Sequence, residues 1–217
     1  MVKIISIREA ARMIKPHDRL LISGFLAVGA PERLIDELVA LGTKDLHLVV
    51  IASDWENRGV GKLIVNHQIK SAQVSHCGTN KAMQAQMNAG EVEVELVPQG
   101  TLLERVRAAG AGLGGVLTPT GLGTVVADGK DIIQVEGKPF ILEKAIHGDY
   151  ALVKAWKADK RGNLIYRKTA RNSNPIMAMT GKITIAEVDE IVEVGELDPE
   201  QIVTPGIFVN YLVRSGE

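Results

Sequence analysis

The chain has 217 residues, enough for one large or two small domains, and 46% of them are apolar, which excludes an intrinsically disordered protein. Its formal net charge of −1 gives no electrostatic reason to expect a nucleic acid or an anionic membrane as a partner. A single cysteine, Cys77, excludes an internal disulfide and a cysteine-rich zinc site. Neither a signal peptide nor a membrane-spanning run is recognisable, so we expect a soluble, cytoplasmic protein.

Four segments of the first half carry the features that begin and end helices. Residues 31–42 are the clearest example, because Pro31 suits the first turn and Gly42 suits the stop. The other three are a short helix opened by the capping box of Ser6 and Glu9, a helix from an Asn80 cap to Gly90, and a helix over 101–110 capped by Thr101. Four apolar runs alternate with these helices and are expected to be strands: 18–23, 46–51, 72–76 and 91–97. This alternation is typical of an α/β fold, a mainly parallel open sheet with helices on both faces.

The second half of the chain changes to hairpin patterns. Residues 131–146 contain two strands around Glu136-Gly137, and residues 150–170 repeat that arrangement around the turn KRGN. More strand is expected at 182–194 and 206–213. No repeat, low-complexity tract or linker divides the chain. We therefore expect one α/β domain over the whole length, with an antiparallel portion in its C-terminal half.

A glycine-rich segment, AAGAGLGGVLTPTGLGT at residues 108–124, contains G-x-G-x-x-G at Gly110, Gly112 and Gly115. In dinucleotide-binding folds this pattern lies between a strand and the helix that follows, so that the helix N-terminus holds the pyrophosphate. Here the predicted helix precedes the glycines, and no helix start follows them. A nucleotide-dependent oxidoreductase therefore stays an alternative only. The glycines themselves admit two interpretations: a helix stop at Gly110 followed by a tightly packed loop, or a lining for a ligand.

The sequence shows no self-contained pair of nucleophile and base. None of its five histidines has metal-ligand spacing, and no G-x-S-x-G elbow is present. His76 and Cys77 are neighbours, but adjacent strand residues point to opposite faces, which favours a buried structural cysteine. Gln99 follows the strand 91–97 at the end where open parallel sheets bind ligands. The segment ARNSNP (170–175) concentrates amides, although an ordinary turn explains its composition equally well.

Three blocks of the sequence resemble the family I coenzyme A transferases: residues 18–35, 94–124 and 151–175. The first block, DRLLISGFLAVGAPERLI, is similar to the family's N-terminal signature, an apolar strand followed by G-G-F and a later G-x-P. The resemblance runs from residue 3 to about residue 213. It is a resemblance to the α subunits of two-subunit enzymes that act on acetate, butyrate and acetoacetate.

The resemblance implies a ping-pong transfer of coenzyme A (CoA) from a short-chain acyl-CoA, such as acetyl-CoA or butyryl-CoA, to a carboxylic acid such as acetoacetate. CoA is then a substrate, and no permanently bound cofactor or metal is expected. In the family the attacking glutamate belongs to the β subunit, in an S-E-N-G block that this sequence lacks. The expected partner is therefore a β subunit, in an α2β2 heterotetramer, with no nucleic acid and no membrane.

The resemblance also assigns candidate site residues. The turn expected to bind CoA comprises Ser23, Gly24, Phe25, Leu26, Ala27, Val28 and Gly29. Its backbone N–H groups and the positive end of the helix that begins near Pro31 are expected to face the ligand. Gln99 is expected to contact the acyl carbonyl or its developing oxyanion. The expected substrate pocket comprises Ser53, Asp54, Asn80 and Gly100.

Two departures from the family pattern affect these assignments. Ser23 replaces the first glycine of G-G-F, so the turn must accommodate a Cβ. The loop that follows the strand 46–51 is shorter than in the family and has Ser53 where an asparagine is expected, which leaves the preferred acid open. The resemblance also implies a position for the glycine-rich segment, beneath the acyl group and at the interface with the β subunit. A non-catalytic acyl-CoA or sugar-phosphate sensor is the remaining alternative, because a fold does not fix a function.

Overall fold

A computed structural model of the chain describes residues 2–216. The helices are α1 (Ile7–Met13), α2 (Glu32–Leu41), α3 (Gly61–Val65), α4 (Lys81–Asn88), α5 (Gln99–Gly110) and α6 (Asn174–Ala178). The strands are β1 (Lys3–Ile4), β2 (Arg19–Ile22), β3 (Leu46–Ala52), β4 (Ile69–His76), β5 (Glu93–Leu96), β6 (Gly115–Thr118), β7 (Ile132–Val135), β8 (Lys138–Lys144), β9 (Gly148–Asp159), β10 (Leu164–Ile165), β11 (Gly181–Val192) and β12 (Tyr211–Arg214). Between residues 2 and 216, no helix is both long enough and apolar enough to cross a membrane.

Nine strands form one large sheet in the order β1-β12-β11-β9-β2-β3-β4-β5, with β10 paired to β9. Every neighbouring pair along that order is parallel, and only β10 runs antiparallel to its neighbour. Parallel neighbours need crossover connections, and here these are the helices that cover the two faces. The predicted mainly parallel open sheet is confirmed.

The strand β2 shows how this sheet divides the apolar interior. Leu20 and Ile22 face the core that also contains side chains of α1 to α4. Leu21, between them, faces the second core, which contains side chains of α5 and α6. Because successive strand residues point to opposite faces, one short apolar run is buried on both sides. Its carboxyl end is thereby fixed between two layers of helices.

The strands β6, β8 and β7 form a separate antiparallel sheet, which confirms the antiparallel portion expected in the C-terminal half. The β7–β8 hairpin turns at Glu136 and Gly137, whose φ angles are 51° and 75°. Two left-handed residues are what a type I′ hairpin turn requires. Arg105 of α5 joins this sheet to the rest of the fold, because its Nε donates to the Lys144 carbonyl at 2.8 Å and its guanidinium lies 3.5 Å from the buried Glu143 carboxylate.

The helix ends expected at Ser6–Glu9, Gly42 and Asn80 are confirmed, but Thr101 is not a cap. The helix α5 already begins at Gln99, directly after Pro98, so Thr101 is buried within its first turn. Proline suits this position because its fixed φ is compatible with a helix start.

Two strand predictions also need correction, and some short elements were not predicted. Residues 206–208 form a 3₁₀ turn, not a strand, because the side chain of Asn163 accepts the Gly206 N–H at 2.8 Å. The strand predicted at 91–97 covers only 93–96, and Leu96 is 55% exposed because β5 is an edge strand. The elements α3, β6 and α6 were not predicted, since each is only four or five residues long.

The glycine-rich segment follows α5 and leads into β6, the reverse of the order that a dinucleotide site needs. The helix ends in a Schellman motif at Gly112 (φ 73°), two residues later than expected: Leu113 N–H donates to the Ala108 carbonyl at 2.8 Å. A Cβ at Gly110 would lie 2.6 Å from Thr180 Oγ1, so contacts within the chain require this glycine. The tightly packed interpretation is supported at Gly110.

We expect Gly110→Ala to lower the free energy of unfolding by about 1–3 kcal/mol, because the new methyl group overlaps the backbone and side chain of Met179. The matched control is Gly114→Ala, since a Cβ at Gly114 has no neighbour within 4 Å. Urea unfolding of the two purified variants compares them. Equal stability of both variants would contradict the packing role of Gly110.

Candidate active site

A groove of about 610 Å³ lies at the carboxyl edge of the large sheet. Three segments bound it: the turn after β2, the first turns of α5, and the stretch that leads into α6. They contribute chiefly Phe25, Val28, Gln99, Leu103, Thr169 and Asn172. Open parallel sheets bind ligands at this edge, because the loops that follow the strands gather there. The groove therefore brings the predicted CoA turn and Gln99 together.

The turn after β2 is a small hairpin with an unusual backbone. Phe25 and Val28 exchange both of their backbone hydrogen bonds, each at 3.0 Å. The two residues between them, Leu26 and Ala27, have φ angles of 49° and 67°. Left-handed conformations of residues with a side chain cost roughly 1–2 kcal/mol each. The surrounding structure must therefore hold this turn in place.

The buried carboxylate of Asp54 holds the turn through a hydrogen bond to its backbone. The carboxylate accepts the Ala27 N–H at 2.9 Å and the Val60 N–H at 3.1 Å, and the residue is 3% exposed. Burial raises the pKa of Asp54 from 3.8 to about 6, against the lowering effect of these two hydrogen bonds, and the nearby Glu32 carboxylate raises it further. The shift reflects a buried carboxylate that is bonded to backbone donors without a cation beside it.

Three consecutive side chains hold the turn from the other side. Asn172 Nδ2 donates to the Val28 carbonyl at 2.8 Å, and Asn174 Nδ2 donates to the Gly29 carbonyl at 3.0 Å. Ser173 Oγ accepts the Gly24 N–H at 3.4 Å. These residues belong to the ARNSNP segment, whose composition alone is explained equally well by an ordinary turn. Its concentration of amides was the only signal for this role.

The side chain of Ser23 fits the turn without strain. The residue is 2% exposed, and its hydroxyl donates to the Gly29 carbonyl at 3.1 Å. The Cβ is therefore accommodated, and the hydroxyl links the two ends of the turn. Gly29 is required, since a Cβ there would lie 2.5 Å from the Ala170 carbonyl.

Most of the backbone N–H groups that were expected to face the ligand are bonded within the chain. The Arg33 and Leu34 N–H groups at the start of α2 both donate, at 3.0 Å, to the carboxylate of Glu187, a residue of β11 that is 2% exposed. Within the turn, the N–H groups of Gly24, Phe25, Ala27 and Val28 are also bonded inside the chain. The positive end of α2 is thus neutralised by the protein's own carboxylate. CoA binding by residues 23–29 stays a prediction. The side chains that the turn exposes for such a contact are those of Phe25 and Val28.

Gln99 is the first residue of α5, and its side chain is exposed in the groove. Among the residues that the structure describes, none hydrogen-bonds its amide, so both the donor and the acceptor are available to a ligand. Gly100, beside it, lines a neighbouring hollow with Leu103 and Arg107. The contact of Gln99 with an acyl carbonyl stays a prediction. The position of Gln99 in the groove is compatible with it.

Ser53, Asp54 and Asn80 lie beneath the groove, not on its surface. Ser53 and Asn80 are both 0% exposed. Asn80 Oδ1 accepts the Met83 N–H at 2.9 Å as the cap of α4, and its Nδ2 donates to the Ser53 carbonyl at 3.2 Å. In this structure each of these side chains is enclosed by the loops that follow β3 and β4, where it supports the groove from beneath. A contact of any of them with a substrate stays a prediction.

The groove carries hydrogen-bonding groups but no strong nucleophile. Its lining within residues 2–216 contains amides, hydroxyls and apolar side chains, with no carboxylate, thiol, imidazole or amine. Cys77 lies elsewhere, half-buried against the core, and no group of three or more possible metal ligands occurs in that same part of the chain. The protein is an α/β protein with a groove at the carboxyl edge of its sheet. The lining of that groove offers hydrogen bonds and apolar contacts to a ligand but no nucleophilic side chain.

Comparison with known proteins gives the family. The family described as "Coenzyme A transferase" matches residues 4–215. A Bacillus subtilis protein, named as one subunit of a probable succinyl-CoA:3-ketoacid coenzyme A transferase, is 53% identical, over 96% of this chain and 87% of that protein. The alpha subunit of the Escherichia coli acetate CoA-transferase is 42% identical, over 99% of this chain and 98% of that one. The chain belongs to the coenzyme A transferase family.

Solved structures agree on the fold. An acyl-CoA transferase of Escherichia coli O157:H7, in a thioester complex with CoA, superposes with a TM-score of 0.87 at 21% identity, over 99% of this chain. This chain spans only 47% of that longer chain. Glutaconate CoA-transferase of Acidaminococcus fermentans gives a TM-score of 0.86 at 20% identity, over 98% of this chain and 75% of that one. At such identities the likeness concerns the fold alone.

The pKa of Asp54 makes a prediction about pH. Between its usual value of 3.8 and its native value of about 6, the native state holds a proton that the unfolded chain has released. The free energy of unfolding should therefore fall as pH rises through this window, by about 3 kcal/mol in all. Asp54→Asn lacks this titration. Urea unfolding at several pH values should show the wild type losing stability relative to the variant from pH 4 to pH 6, and parallel curves would contradict the assignment.

Proposed function

We propose that this chain is the α subunit of an enzyme that moves CoA from a short-chain acyl-CoA, such as acetyl-CoA or butyryl-CoA, to a carboxylic acid such as acetoacetate. It acts in the cytoplasm with a β subunit, in an α2β2 assembly, and CoA is its substrate. The observation that carries the proposal is the groove itself: in a chain of this family, it presents a free amide at Gln99 and no nucleophile. We expect a second chain to supply the attacking group.

The proposed chemistry divides between the two chains. A glutamate carboxylate that the β subunit supplies attacks the thioester carbonyl, the carbon–sulfur bond breaks, and CoA leaves as its thiolate. The thiolate then attacks the acyl-glutamyl anhydride, which releases the first acid and leaves CoA on the glutamate. The second acid reverses these steps. At each attack a carbonyl oxygen gains negative charge, and the Gln99 amide stabilises it as a hydrogen-bond donor.

The wall opposite Gln99 suits a short acyl chain. Phe25 is 41% exposed and Val28 is 49% exposed, so the turn offers apolar surface to the groove without a charged side chain. Burial of a few methylene groups against that surface is favourable by about 0.8 kcal/mol for each CH₂. The names of the relatives include succinyl-CoA:3-ketoacid, acetate and 3-oxoadipate enzymes, so the donor acid is a necessary variable in the test.

The absence of a nucleophile from the groove lining also fits the alternative of a non-catalytic acyl-CoA sensor. A sensor binds its ligand without a second chain, whereas the proposed α subunit gains activity only with one. The oxidoreductase alternative has no geometric support, since the G-x-G-x-x-G residues end a helix and open a strand.

We expect the purified chain alone to transfer no CoA, and a co-expressed complex with a β subunit that contains S-E-N-G to do so. Acetyl-CoA, butyryl-CoA and succinyl-CoA are each offered with acetoacetate, and the CoA thioesters are separated by chromatography. Transfer by the isolated chain at the rate of the complex would overturn the proposal. So would a stable complex that exchanges none of these donors.

In the complex, Gln99→Ala should lower kcat by about 10²–10³-fold, because it removes a donor at the developing oxyanion. The KM for the acyl-CoA should change much less, since the interaction strengthens in the transition state. Gln201→Ala is the matched control, because Gln201 is exposed and lies outside the groove. An unchanged kcat in Gln99→Ala would remove Gln99 from the reaction.

A further inference from the structure

Asn174 is fully buried, and both polar atoms of its side chain have hydrogen-bond partners. Its Oδ1 accepts the Lys154 N–H at 2.7 Å, and its Nδ2 donates to the Gly29 carbonyl at 3.0 Å and to the Ala170 carbonyl at 2.8 Å. The residue is 0% exposed, so it cannot touch a ligand in the groove. An effect of Asn174 on the site passes through the backbone groups that it bonds, which include Gly29, the last residue of the turn after β2.

Asn172 holds the preceding carbonyl of the turn. Its Nδ2 donates to the Val28 carbonyl at 2.8 Å and to the Thr169 carbonyl at 3.2 Å, and its Oδ1 accepts the Ser173 N–H at 2.6 Å. The Asn172 side chain thus joins its own segment to the turn at Val28.

The two amides act on the wall of the groove. They bind successive carbonyls of the turn, while Asp54 binds the Ala27 N–H from the opposite side. The same turn carries Phe25 and Val28, which face the groove together with Gln99. The separation between that wall and the Gln99 amide is therefore set by the buried Asn174 and Asp54 behind the turn and by Asn172, which also lines the groove.

We infer that Asn174 and Asn172 are positioning residues for CoA transfer, because they hold the turn of residues 23–29 in its left-handed conformation and so set the distance from its apolar side chains to the Gln99 amide. The expected effect on catalysis rests on the proposed function, whereas the hydrogen bonds by which the asparagines hold the turn do not depend on it. A misplacement of about 1 Å at a reacting centre can cost 10²-fold in rate. Both asparagines thus contribute to activity without entering the chemistry.

The test uses the isosteric variants Asn174→Asp and Asn172→Asp in the complex with the β subunit. Each keeps an acceptor but places a carboxylate oxygen against the turn carbonyl in place of the N–H donor. Asn163→Asp is the matched control: Asn163 also donates (to Asp159 Oδ2, 2.8 Å) and accepts (from Gly206 N–H, 2.8 Å), but in the turn between β9 and β10. We expect kcat/KM to fall ~10-fold or more in the first two variants and to stay at the wild-type value in the control.

A double-mutant cycle separates positioning from general damage to the fold. If Asn174 acts through the turn, its substitution should cost less in a Phe25→Ala background, where the side chain to be positioned is already absent. The Asn163→Asp effect on thermal stability should be the same in both backgrounds. Additive losses of kcat/KM for Asn174→Asp and Phe25→Ala would overturn the inference.

Hydrogen exchange gives a readout that does not need the enzyme to be active. We expect the amides of residues 24–30 to lose protection in Asn174→Asp and Asn172→Asp but not in Asn163→Asp. Unchanged protection in both variants would overturn the inference, whether or not the complex transfers CoA. If the wild-type complex is inactive, the proposed function fails. The exchange result still decides whether the two asparagines hold the turn in place. Should Asn174→Asp fail to fold, the exposed Asn172 supplies the same comparison.

Discussion

The left-handed turn at Leu26 and Ala27 is the constraint on which the site depends. Neither residue favours this conformation. Besides the two hydrogen bonds between Phe25 and Val28, the partners of the turn come from far along the chain: Asp54 accepts the Ala27 N–H, and Asn172 and Asn174 donate to the two carbonyls that follow. The groove is therefore a product of tertiary assembly. It forms only when β2, β3 and the stretch leading into α6 have packed together.

Two buried carboxylates next to this turn are stabilised in different ways. Glu187 accepts two N–H groups of α2, and Lys154 Nζ lies 3.5 Å away, so its charge has both dipolar and cationic partners. Asp54 has backbone donors alone, and burial raises its pKa to about 6. Because Glu187 accepts the Arg33 and Leu34 N–H groups, its negative charge balances the positive end of α2 within the chain.

The sequence was sufficient for the features that depend on local patterns. Strand alternation and helix ends predicted the parallel sheet, and the position of Gln99 after a strand placed it at the carboxyl edge. The burial of Asp54 was not predictable, since it depends on which loops fold over the residue. Glu187 was not found, because in an alternating run such as 182–194 a carboxylate is expected to face solvent. Its burial accompanies its hydrogen bonds to the start of α2, which no local pattern records.

The supports beneath the groove bear on the role proposed for Gln99. Donors that stabilise a developing oxyanion are effective when they are fixed before the charge appears, because no reorganisation is then needed. Buried amides suit this task, since they neither titrate nor exchange partners with water. A reactive carboxylate has the opposite requirement, because it must stay ionised, whereas burial in this part of the fold raises the pKa of Asp54 to about 6. Under the proposed function the attacking carboxylate belongs to a second chain, so the groove wall and the reactive group are stabilised separately.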